Sequence, residues 1–75
     1  MKSFQIRLNN INSVRDLCGI LSHYDFDALL TSGSDTVDAR SALGIFSLDL
    51  KKELKLTLDT EELFDLPEKL FPYIV

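Results

Sequence analysis

Thr36-Val37-Asp38-Ala39-Arg40-Ser41-Ala42-Leu43-Gly44-Ile45-Phe46-Ser47-Leu48 changes its hydrophobic period midway, and that change decides the fold. From Thr36 to Ala39 the apolar residues alternate, with Val37 and Ala39 inward, which predicts a short strand. Ser41 then offers a side-chain oxygen to an amide hydrogen that the first turn of a helix leaves without a partner. Behind it, Ala42, Leu43, Ile45, Phe46 and Leu48 predict a short, unusually apolar helix. A helix of about eight residues cannot bury all five on one side. Ile45 and Leu48 are expected to face the core, with Leu43 and Phe46 turned outward.

Downstream, Glu53 to Leu58 alternates again, with Leu54, Leu56 and Leu58 inward and Lys55 and Thr57 outward. Upstream, Asp25 to Ser32 reads as a strand with Phe26, Ala28 and Leu30 on one face. Ser32-Gly33-Ser34-Asp35 is a turn, so this strand and Thr36–Ala39 form an antiparallel hairpin. Further back, Val14, Leu17, Cys18, Leu21 and Tyr24 fall at helical spacing. Asn12 or Ser13 is the expected cap of that helix, Asp16 suits its positive end, and it should stop near His23. Gly19 within it costs about 1 kcal/mol relative to alanine, which packing would have to offset. Cys18 lies on the apolar stripe as a core thiol.

Ser3 to Leu8 opens the chain as a strand, with Phe4, Ile6 and Leu8 on one face. At the other end, Asp59-Thr60-Glu61-Glu62 is an acidic helix-entry signal. Pro67 interrupts the helix entered there and should open a second helical part. Leu63, Leu66, Leu70 and Phe71 would pack inward, Pro72 would end the helix, and Tyr73-Ile74-Val75 would tuck against the body or fray. The order is β-α-β-β-α-β-α. Strands with one apolar face each predict a four-stranded antiparallel sheet with three helices on one side, an α+β open-faced sandwich.

The bulk properties narrow the function. Seventy-five residues make one domain, and 45% hydrophobic with 27% charged residues fits a packed core. One cysteine excludes a disulfide scaffold. No apolar run reaches the ~20 residues of a membrane span, and MKSFQIRL lacks the core of a signal peptide. The expectation is a soluble, cytoplasmic protein. Eight basic against twelve acidic residues give a net charge of −4, which argues against nucleic acid as a partner. The one basic cluster, Lys51, Lys52 and Lys55, reads as a solvated surface. Asp25 and Asp27 share a strand face without further ligands at metal spacing. Phosphate-binding loops, paired-cysteine motifs and nucleophile elbows do not occur, so neither an enzyme nor a metal or cofactor site is expected.

With its very short second helix, this order resembles HPr, the phosphocarrier of the bacterial sugar phosphotransferase system. The likeness runs from Tyr24 to Leu58. Within it, Thr36-Val37-Asp38-Ala39-Arg40-Ser41-Ala42-Leu43-Gly44-Ile45-Phe46-Ser47-Leu48 is similar to the family's regulatory-serine segment, which reads basic residue, Ser, two apolar residues, Gly, two apolar residues, Ser, Leu. Leu54-Lys55-Leu56-Thr57-Leu58 is similar to its fourth strand. The resemblance implies a single HPr-like domain over residues 1–75.

The family's active site, Gly-(Ile/Leu)-His-Ala-Arg-Pro, comes after strand one. The corresponding stretch here is Leu8-Asn9-Asn10-Ile11-Asn12-Ser13-Val14-Arg15. Aligned on the helical stripe, Asn10 takes the histidine position and Asn12 the arginine position; aligned on Ile11, Asn12 takes the histidine position. Neither alignment supplies an imidazole. An amide nitrogen is delocalised into its carbonyl and cannot attack phosphorus as an imidazole does. Asn10, Asn12, Ser13 and Arg15 would therefore line a vestigial site. Ser41, beside Arg40 as charge compensation, is the position matching the family's regulatory phosphorylation. Ala42, Leu43, Phe46 and Leu50 are the candidate docking surface for a protein partner, such as a phosphotransferase component, a serine kinase or a transcription regulator. The expected function is thus a non-catalytic regulatory or interaction domain. The alternatives are a ferredoxin-like ligand-binding module, which needs a second helix of about ten residues or more, and a phosphocarrier using an unconventional residue.

Overall fold

The computed structural model describes residues 2–62 and 65–75. The chain runs β1 (Lys2–Ile6), α1 (Ile11–Leu21), β2 (Ala28–Ser32), β3 (Asp35–Asp38), α2 (Ala42–Phe46), β4 (Leu54–Leu58), α3 (Leu66–Leu70) and a 3-10 turn (Phe71–Tyr73). The four strands form one sheet in the order β1-β4-β2-β3, and every neighbouring pair is antiparallel. This is an α+β architecture with an open sheet and three helices, as the periodicity predicted.

Register explains which leucines are buried. Phe4, Leu56, Leu30 and Val37 form one row across the sheet, and Ile6 pairs with Leu54 in the next. These residues share the packed face, where Ile6, Leu30, Leu54 and Leu56 are fully buried. The intervening rows are Gln5-Lys55-Thr31-Thr36 and Ser3-Thr57-Leu29-Asp38. They are polar apart from Leu29 and make the open face. Val14, Leu17 and Leu21 of α1, Ile45 of α2 and Leu66 and Leu70 of α3 pack against this face, and Leu8, Ala28, Ala39, Leu48 and Leu58 complete the core. No helix among the described residues is long and apolar enough to cross a membrane.

Several local expectations change. The cap of α1 is Asn10, so Asn12 and Ser13 lie inside the helix. Three polar residues in this stretch could each cap, and Asn10 prevails because its Oδ1 accepts both the Ser13 amide at 2.9 Å and the Ser13 hydroxyl at 3.2 Å. Asp16 consequently leaves the first turn. Ser32 and Asp35 pair, which shortens the hairpin loop to Gly33-Ser34, with Gly33 at φ +61°. β2 begins three residues late, at Ala28, because Tyr24–Phe26 is held as a loop.

At the C-terminal end, residues 59–62 are not helical, and the expectation for Leu63 lies outside the described residues. Pro67 does stand in the opening turn of α3. Phe71, expected inward, is 77% exposed. Leu66 and Leu70 use up the inward face of α3, and the tighter 3-10 turn after it rotates Phe71 outward. Pro72 lies within that turn. The last residues do tuck in. The Arg7 amide donates to the Tyr73 carbonyl at 2.8 Å, the Val75 amide donates to the Gln5 carbonyl at 3.0 Å, and Ile74 bridges Ile6. The tail thereby covers part of the free edge of β1.

Candidate functional site

The apolar segment that decided the fold also presents two exposed hydrophobic side chains, Leu43 and Phe46. α2 is only five residues long. Ile45 is fully buried and Leu48 nearly so, while Leu43 is 87% and Phe46 43% exposed. This division matches the expectation. Ala42 and Leu50, the other docking candidates, are half-buried and pack against the core. Ile11, at the opening of α1, is 62% exposed. It stands three residues before Val14, at the spacing of the buried stripe, yet as the first residue of α1 it stays outside the core.

A groove of about 490 Å³ brings Arg7 and Asn9 from the β1–α1 loop beside Phe46, Leu50 and Lys51. Its one acid, Asp49, uses Oδ1 to accept the Lys51 amide at 3.0 Å. Phe46 lines this groove with Arg7 and Lys51 at its rim, and Leu43 is exposed on the same short helix; exposed apolar anchors of this kind carry much of an interface's energy.

Ser41 caps α2 as expected, with Oγ accepting the Gly44 amide at 3.2 Å. Gly44 sits in a tight place: a Cβ there would lie 3.3 Å from both Ser41 Oγ and Val37 Cβ. Arg40 has a job that the sequence did not suggest. Its guanidinium donates to the carbonyls of Leu21 (3.2 Å), Tyr24 (2.6 Å) and Phe26. Its own amide donates to Asp38 Oδ1 at 2.9 Å. The charge expected beside Ser41 is instead committed to the end of α1 and the adjoining loop, where cations are favoured. These contacts hold Tyr24–Phe26 out of the strand.

The four residues of the expected vestigial site separate. Asn10 and Ser13 bond each other, and Asn12 is exposed in the first turn. Arg15 lines a different groove, with Lys69 and Tyr73. His23 lies just beyond α1, whose eleven residues separate it from Asn10 by roughly 16 Å along the helix axis. Cys18 is half-buried rather than fully in the core. Its thiol points at the Ala39 carbonyl at 3.7 Å, and burial pushes its pKa up.

A third cluster was not anticipated. The Tyr24 hydroxyl donates to Asp65 Oδ1 at 2.5 Å, Lys69 Nζ lies 3.4 Å from Asp65 and 5.7 Å from the Tyr24 ring centroid, and Phe26 packs on that ring. It ties the start of α3 to the α1–β2 loop. Since Tyr24 and Asp65 lie 41 residues apart in sequence, no local spacing could reveal it.

No protein-family model, curated protein or solved structure matches this chain.

Proposed function

We propose that the chain is a non-catalytic protein-interaction domain of HPr-like type, docking a partner through α2 and lacking a histidine phosphocarrier function. The observation that carries this reading is the pairing of Leu43 and Phe46, exposed on a five-residue helix whose one buried anchor is Ile45. A helix this short also weighs against the ferredoxin-like alternative. The opening turn of α1, where a phosphocarrier would hold its imidazole, holds Asn10 bonded to Ser13.

Competition is the direct test. The chain should displace an authentic HPr from one of its protein partners, and Phe46→Asp should abolish displacement while leaving the circular dichroism spectrum unchanged. Failure of the wild-type chain to compete, or competition indifferent to Phe46→Asp, removes the reading. Incubation with phosphoenolpyruvate and the upstream kinase of the phosphotransferase system should give no phosphoryl adduct, and a stable acid-labile one would establish a carrier.

Ser41 is the proposed point of regulation. A phosphoryl group there would meet the free amides of α2, with the Arg40 charge spent elsewhere. Treatment with an HPr-directed serine kinase, followed by mass spectrometry, should label Ser41. An unlabelled chain beside a labelled HPr control would remove this part of the proposal.

A further inference from the structure

We propose that the groove between α1 and the C-terminal turn binds a small organic anion, a carboxylate or phosphate monoester with an apolar body. The groove has a volume of about 460 Å³ and shares no lining residue with the one beside α2. That size suits a small ligand. Arg15, His23 and Lys69 supply its positive and hydrogen-bonding groups, and Ile20 and Tyr73 supply apolar walls.

Two independent observations distinguish this groove. The first is the state of its polar groups. Asp16, its one carboxylate, accepts the Tyr73 hydroxyl at 3.1 Å. Lys69 holds Asp65 at 3.4 Å yet keeps 43% of its side chain exposed. Among the described residues, the Arg15 guanidinium and the His23 imidazole have no partner. The Arg15 charge is thus without an ion pair on a chain that is anionic as a whole.

The second is Gly19, which lies against the same groove. The other two glycines have reasons internal to the fold: Gly33 turns the hairpin at positive φ, and Gly44 fits under Ser41 and Val37. Gly19 has neither. A Cβ there would meet nothing within 4 Å, so the packing that the sequence seemed to demand around it does not exist. Alanine would serve α1 better. What glycine provides is bare backbone beside Arg15, room for a ligand to approach the helix closely. An oxyanion would pair with Arg15 and Lys69 while its apolar body lies over Gly19 against Ile20 and Tyr73.

The test is a nitrogen–proton correlation titration of the full chain with benzoate and, separately, phenyl phosphate, at constant ionic strength set with sodium chloride. Saturable shifts centred on Arg15, Gly19, Ile20 and His23 are expected, and the arm with the tighter binding identifies the anion. Arg15→Gln, at an exposed position that leaves the fold intact, should weaken binding about fivefold or more. Lys55→Gln removes the same charge from the open sheet face and should leave binding unchanged. Gly19→Ala should raise the melting temperature and weaken binding together. Shifts that fail to saturate by about 20 mM, that spread equally to Lys51 and Lys52, or that survive Arg15→Gln would overturn the proposal.

Discussion

Asn10 and Ser41 each close the start of a helix with a side-chain oxygen, accepting an amide three residues on at 2.9 Å and 3.2 Å. The helices behind them differ. α1 continues for eleven residues and buries Val14, Leu17 and Leu21; α2 continues for five and buries Ile45 alone. Starting a helix costs conformational freedom that later turns repay. α1 has those turns, and α2 does not. α2 therefore persists because tertiary contacts hold it in place, and an element held that way can leave Leu43 and Phe46 facing solvent. The same difference decides where the chain tolerates change. Losing one contact should fray α1 and melt α2.

Ile45→Ala is expected to have the largest effect, about 3 kcal/mol of lost stability, because it removes the one buried anchor of α2. Urea unfolding measures the loss, and amide exchange should show α2 opening before α1. Protection of α2 equal to that of α1 in this variant would mean that Ile45 is not the anchor.

Arg40→Met comes next, at about 2 kcal/mol, since it strips a charged donor from three carbonyls at once. The damage should appear at Tyr24–Phe26 rather than in α2, although Arg40 adjoins the cap. If α2 loses protection first, Arg40 supports the short helix and the division drawn between the two regions moves.

The caps themselves give the smaller pair. Ser41→Ala should cost about 1 kcal/mol, and Asn10→Ala about half as much, because the longer helix can fray by a residue and recap. Equal costs would contradict the comparison.

How much of this was legible depends on which forces are local. Leu54, Leu56 and Leu58 announced the packed face of β4 because strand periodicity maps directly onto burial. The outward turn of Leu43 and Phe46 was legible for a similar reason, as a short helix has too little inward surface for five apolar residues. The role of Arg40 was not legible, because its acceptors are backbone carbonyls 14 to 19 residues away and every residue type carries one. Which residue caps α1 was not legible, because Asn10, Asn12 and Ser13 all qualify, and the groove that Arg15 shares with Lys69 and Tyr73 depends on contacts more than 50 residues away in sequence. Phe71 was misplaced because a 3-10 turn rotates side chains differently from the α-helical spacing used to place it.

A third helix start sharpens the comparison. Asp65 stands at the cap position of α3 but makes no capping bond. Its carboxylate instead accepts the Tyr24 hydroxyl, and that bond is the main cause holding its pKa below the ordinary carboxylate range, with Lys69 adding to it. The same bond raises the pKa of Tyr24. Asp65 has its pKa lowered on folding, so its contribution is present above the unfolded value and is lost as pH falls through the folded one. Tyr24 has its pKa raised, so its contribution is present below its unfolded value and is lost as pH rises through the folded one. The clip should thus be intact across the neutral range and open at both extremes. Carbon NMR of the Asp65 carboxyl should give a midpoint below the ordinary aspartate range, and Tyr24→Phe should return it most of the way, since Lys69 remains. A midpoint unmoved by Tyr24→Phe would make Lys69 the controlling partner. α3 would then be held by a surface ion pair, which salt weakens, and not by the hydroxyl.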